Sequence, residues 1–149
     1  MDMTKYIADF QIVGSRIVKL KIKNDFIVLD NQEKVKRKID ISHEISRVHD
    51  DGQGGLVGLV VLNVSVRIQN AGKNFQLDIS TEGCFTVPNN LEREKFENML
   101  GINGITALYG ITRSAVLSIS SQAFIQGNVV LPMINVYEYS KDITVKKAE

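Results

Sequence analysis

The period of the hydrophobic pattern changes once along this chain, near Asn89, and that change restricts the fold more than any other feature. Before it, apolar and polar residues alternate, the two-residue repeat of half-buried strands. After it, apolar residues recur at helical spacing. Strands gathered in one half and helices in the other predict a segregated α+β arrangement, with the helices on one face of an antiparallel sheet.

In the first strand Val18, Leu20 and Ile22 point one way and Lys19, Lys21 and Lys23 the other. A second strand is expected over about 33–48, with Val35, Ile39, Ile41 and Ile45 sharing a face that Arg37 and His43 interrupt. A loop over 24–32 carries Phe26 and Val28. Asp50-Asp51-Gly52-Gln53-Gly54-Gly55 reads as a hairpin loop, and Asn70-Ala71-Gly72-Lys73 as a tight turn between the third and fourth strands. In the fourth strand Phe75, Leu77 and Ile79 lie inside, and Glu82-Gly83 predicts a bulge. Asn89-Asn90 offers a cap for a short helix with Phe96, Met99 and Leu100 on its apolar side, ended by Gly101. A longer helix spans about 105–123, with a stripe of Ile105, Leu108, Thr112, Ala115, Ile119 and Ala123. Its second face is small and mildly polar, which suits packing on both sides. Residues 125–134 form an apolar segment without a period, broken by Gly127 and Pro132, and read as an extended crossover. The C-terminal residues are expected to fray. The resulting fold is a four-stranded antiparallel meander with two helices packed on one face, in one domain over 1–149.

Composition narrows the function. Basic and acidic residues number 18 and 17, a balance that favours neither nucleic acid nor a membrane surface as partner. A lone cysteine, Cys84, cannot close an internal disulfide and fits a reducing compartment. The N-terminus lacks an apolar leader pattern, and the longest nearly apolar run, 56–66, falls short of the roughly 20 residues a membrane helix needs. The expected location is the cytoplasm.

No motif for bond-making chemistry emerges. The Asp50–Gly55 run lacks the Gly-Lys-Ser/Thr ending of a phosphate loop, and a strand follows it rather than a helix. His43 and His49 have no zinc-site spacing with Cys84, although folding could still bring Cys84 and His43 together as a nucleophile pair. The serines of the long helix lack a nucleophile elbow. The chain is therefore expected to be neither an enzyme nor the holder of a cofactor or metal. One charge asymmetry stands out: residues 16–38 carry eight Lys or Arg against three Asp or Glu. Such a stretch can bind an acidic peptide or a nucleic-acid backbone, or form a solvated sheet face.

Several stretches, in order, resemble the SecB family of export chaperones. They are Phe10-Gln11-Ile12, Phe75-Gln76-Leu77-Asp78, Glu82-Gly83-Cys84-Phe85-Thr86-Val87, Leu108-Tyr109 with Arg113, then Phe124 and Leu131-Pro132-Met133-Ile134-Asn135. The likeness covers about 8–137. It implies a dimer of dimers that holds unfolded polypeptides without ATP in apolar grooves. Transferred by position, the client-binding residues are Phe26, Val28, Phe124, Val129, Leu131, Met133, Ile134 and Val136. The resemblance implies docking of the SecA motor through acidic residues on the first and fourth strands. Here those first-strand positions are Lys19 and Lys23, and only the fourth-strand position, Asp78, stays acidic. The family's C-terminal helix looks shortened here, since Tyr137-Glu138-Tyr139-Ser140-Lys141 lacks a long apolar continuation, and the motor-binding tail has no counterpart. The resemblance thus implies holding more firmly than an export role, with preproteins or one dedicated partner such as an antitoxin as clients.

Overall fold

Alternation over the first half produces four long strands: β1 (Gln11–Asn24), β2 (Lys36–Asp50), β3 (Leu56–Asn70) and β4 (Lys73–Val87). Helices α1 (Arg93–Met99), α2 (Ile105–Ala123) and α3 (Val136–Ala148) follow. The structure, a computed structural model, describes residues 2–26, 35–88 and 91–148. The sheet is antiparallel with strand order β1-β4-β3-β2. β2, β3 and β4 form the expected meander. β1 instead pairs with β4, so β1 and β2 occupy opposite edges. Alternation fixes which face a side chain takes and not which strand lies beside it.

The inner face of the two central strands is the core. Val60, Leu62, Val64, Val66 and Ile68 of β3 and Phe75, Leu77, Ile79 and Phe85 of β4 are buried there. Phe96, Leu100, Ile105, Leu108 and Val116 close over them from the helices. Burying each such large apolar side chain contributes about 1.5–3 kcal/mol before ordering costs. A buried hydroxyl pair locks α2 onto β4. Thr112 donates to the Leu108 carbonyl oxygen at 2.8 Å, so the single proton of Thr81 is the one shared across the 2.6 Å Thr81–Thr112 contact.

Several details differ from expectation. β4 keeps regular register with β3 through Glu82 and Gly83, so no bulge forms there. A Cβ on Gly83 would lie 2.8 Å from the Phe85 ring and 2.9 Å from Leu108, so this glycine admits the helix layer close to the strand. The register shifts occur in β1, around Val13 and Val18, and in β2 after Ser46. The shift at Val18 takes that residue out of the inner row, and Ile17 takes its place, opposite Thr81. Gly101 does not end the first helix. A π-helical turn, Leu100–Gly104, carries the chain directly from α1 into α2. These three pieces make one helical stretch and α3 a second. The α1 cap is Glu92, and Asn89 and Asn90 lie outside the described residues. The buried side of α2 is rotated towards Tyr109, Val116 and Ser120, while Ala115, Ile119 and Ala123 only flank the core. α3 stays helical to Ala148, where fraying was expected. The Ala71-Gly72 turn behaves as read, with φ of 50° and 80°, the left-handed pair that a two-residue hairpin loop requires.

Candidate functional site

The segment between α2 and α3 is extended, and three α2 side chains strap it down. Ser120 Oγ accepts from the Val129 amide at 2.8 Å. Arg113 Nε donates to the Leu131 carbonyl oxygen at 2.6 Å, and the Tyr109 hydroxyl donates to that of Pro132 at 2.5 Å. Burial raises the Tyr109 phenol above its ordinary pKa, against the opposing Arg113 charge, so the hydroxyl keeps the proton it donates. Tyr109, Arg113 and Ser120 stand about one helical turn or two apart, so they share one flank of α2.

The strap makes the segment's side chains alternate between core and solvent. Val129 and Leu131 are buried, whereas Ile125, Val130 and Met133 are 77%, 56% and 78% exposed. Of the residues that the resemblance points to, Phe26, Phe124, Val129, Leu131 and Val136 are buried in this single chain, Ile134 is half-buried and Met133 is exposed. Val28 lies outside the described residues. Phe124 stacks at a tilt on Phe75, 5.0 Å between centroids, and Asn24 Nδ2 donates to the Ala123 carbonyl oxygen at 2.9 Å. These contacts bring the end of β1 and Phe26 to the start of the crossover. The sequence reading missed Ile125, Val130 and the exposed Tyr137 of α3. Their signal was present, since large apolar residues in a segment without a period are not all absorbed by one core.

A second apolar surface lies along β1. Ile12, Ile17, Leu20 and Ile22 stand opposite Phe85, Thr81, Ile79 and Leu77, hence on the helix side, yet all four remain exposed. Ile111, Ala115 and Ile119 form a row on the flank of α2 away from Arg113. Among the described residues β1 also presents an unpaired edge along its 14 residues, a template that stable proteins cover or blunt.

The polar candidates separate. Lys19, Lys23 and Asp78 do share the outer face, opposite Ser80, Gln76 and Lys21 respectively. Cys84 and His43 do not meet. Cys84 is on the outer face opposite Leu59, whereas His43 is on the helix side opposite Leu62, with Nδ1 2.9 Å from the Tyr139 hydroxyl of α3. Among the described residues no group of three or more His, Cys, Asp or Glu is placed to hold a metal ion. No described helix is long and apolar enough to cross a membrane.

No protein-family model and no curated protein matches the sequence. Among solved structures, the chain superposes on a Mycobacterium tuberculosis SecB-like chaperone, determined in complex with a ChAD peptide from the HigA1 antitoxin. The TM-score is 0.67 and the identity 14%, over 85% of this chain and 91% of that one. This chain has a SecB-like fold. A protein of unknown function from Streptococcus agalactiae also aligns, at TM-score 0.48 and 10% identity, over 83% of this chain and 97% of that one.

Proposed function

We propose that this chain is a holding chaperone that binds unfolded or partly folded polypeptides on its crossover segment, without ATP and without bond-making chemistry. The observation that carries the reading is the row of Ile125, Val130 and Met133, held in water on an extended segment within a SecB-like fold. Burial of apolar surface is non-directional, so such a row captures apolar segments of many sequences. The unbranched Met133 adapts its shape to each. Val129 and Leu131, turned inward, join the contact surface when the strap opens.

The uncovered β1 row and the outer flank of α2 are assigned to self-assembly, as a homotetramer built from two dimers. Clients are either preproteins kept competent for export from the cytoplasm or one dedicated partner. The antitoxin peptide on the superposed M. tuberculosis chaperone favours the dedicated partner. Lys19 and Lys23 disfavour a SecA-type motor that docks on acidic residues, because like charges at a docking face repel.

The test is light scattering from a chemically denatured protein diluted into buffer without nucleotide. Stoichiometric addition of this chain suppresses aggregation, and Val130→Asp with Met133→Asp abolishes suppression while the fold persists by circular dichroism. Aggregation unchanged by the unaltered chain defeats the reading.

A further inference from the structure

Ile125 and Val130 end in hydrocarbon, whereas Met133, their neighbour in the crossover row, carries a thioether sulfur. At 78% it is the most exposed large apolar side chain among the described residues. The backbone is fastened on both sides of it. Before it, Arg113 Nε holds the Leu131 carbonyl oxygen at 2.6 Å and the Tyr109 hydroxyl holds that of Pro132 at 2.5 Å. The Pro132 ring fixes its own φ as well. After it, Asn135 opens α3. Its side-chain oxygen accepts from the Glu138 amide at 3.2 Å, and its carbonyl oxygen from the Tyr139 amide at 3.0 Å. Met133 is therefore presented to water while the strap is closed. The other sulfur atoms of the described residues are placed differently. Met99 is half-buried at the end of α1, and Met3 lies on the N-terminal 3-10 turn, Met3–Tyr6, outside the row. Cys84 faces the outer side of the sheet, away from the crossover.

We propose that Met133 is a reversible oxidation site, and that converting its thioether to the sulfoxide weakens client holding. This inference rests on the holding function proposed above. The oxidant is a peroxide. A lone pair of the sulfur attacks one peroxide oxygen, the O–O bond breaks as the S–O bond forms, and the second oxygen of hydrogen peroxide leaves as water with both protons. Sulfur loses a pair of electrons and the peroxide gains it. Exposure decides which thioether reacts first, and Met133 leads on that count. A thioether is a weak hydrogen-bond acceptor. The sulfoxide oxygen is a strong, hydrated one, and pressing it against an apolar client removes its water without replacing the hydrogen bonds. Ile125 and Val130 have no oxidisable atom, so the row is weakened and not erased. Cys84, on the other side of the sheet, cannot act as a local reductant. The oxidised state lasts until an external dithiol enzyme of the methionine sulfoxide reductase class reverses it. There the dithiol becomes a disulfide and the oxygen leaves as water. A bound client covers the same sulfur, so holding and oxidation oppose each other.

The probe is hydrogen peroxide, applied to the full chain carrying Cys84→Ser to remove thiol chemistry, with oxidation followed at each methionine by peptide mass spectrometry. Met133 is expected to gain one oxygen well before Met99. An excess of a permanently unfolded polypeptide slows the gain at Met133 and not at Met3. Affinity of the oxidised chain for that polypeptide falls about tenfold, the scale of one large apolar contact, with circular dichroism unchanged. Methionine sulfoxide reductases for both sulfoxide epimers, with dithiothreitol, restore it. Met133→Gln reproduces the loss without oxidant. Met133→Leu, whatever its own affinity, shows no further change on peroxide treatment. The proposal is overturned by Met99 reacting before Met133, by a Met133 sulfoxide chain that binds as tightly as the untreated one, or by an equal peroxide effect in Met133→Leu. Each of these leaves holding itself standing. Failure of holding reads differently: the untreated chain then leaves aggregation unchanged before any oxidant is added, and both proposals fall.

Discussion

Arg113 is the strongest single fastener of the crossover, and replacing it with Met tests whether the segment opens as a unit. Met keeps much of the apolar stem and deletes the 2.6 Å bond from Nε to the Leu131 carbonyl oxygen. A hydrogen bond from a charged donor contributes about 1.5–3 kcal/mol. Taking about 2 kcal/mol, the opening equilibrium shifts roughly thirtyfold towards the open state. The Tyr109 and Ser120 bonds and the burial of Val129 and Leu131 remain, so the closed state still dominates. Amide hydrogen exchange reads the change directly at Val129, whose N–H is held by Ser120. Exchange there is expected to accelerate by roughly that factor, with the amides of β3 and β4 nearly unaffected. Exchange at Val129 that stays at the unaltered rate would show that Arg113 is no fastener. Equal acceleration throughout the sheet would show that the crossover opens only with global unfolding. Either result refutes a local strap.

Gly83→Val is expected to destabilise the fold by about 1–3 kcal/mol in urea denaturation, because the new side chain meets Phe85 and Leu108 inside the core. Burial tends to raise the Asp78 carboxyl, but hydrogen bonds from Ser65, Gln76 and Arg67 and the Arg67 charge prevail and hold it at about 2. Its folded pKa is below the unfolded value near 3.8, so its stabilisation, about 1 kcal/mol after solvent screening, is complete above about pH 5 and is lost progressively as pH falls towards 2. Asp78→Asn should flatten that part of a stability–pH curve. Leu20→Asp places a charge in the uncovered β1 row and should shift native mass from the assembled form to the single chain, with near-UV dichroism preserved.

The strands, the Ala71-Gly72 turn and α2 were legible because each depends on local chemistry: alternation, left-handed turn residues and helical spacing. The pairing of β1 with β4 was not, since the same alternation serves any neighbour. Gly83 was misread because a glycine in a strand marks either a bulge or a close approach, and only the helix packed above it distinguishes the two. Val18 was misassigned because a bulge changes the register without leaving a mark in the pattern. The α2 stripe was rotated because Ser120 is a buried polar residue, satisfied by the Val129 amide, which a count of apolar positions passes over. In the crossover, composition exposed the segment as unusual. Which side chains turn inward depends on Tyr109, Arg113 and Ser120, which lie up to 23 residues away in sequence and meet it only in the fold.

The most direct measurement is methyl NMR of Met133, Ile125 and Val130 during titration with a permanently unfolded polypeptide. Selective shifts or broadening of these three, with the β3 core methyls unchanged, is the predicted result. An unfolded chain that binds while all three signals stay still would contradict capture by the crossover.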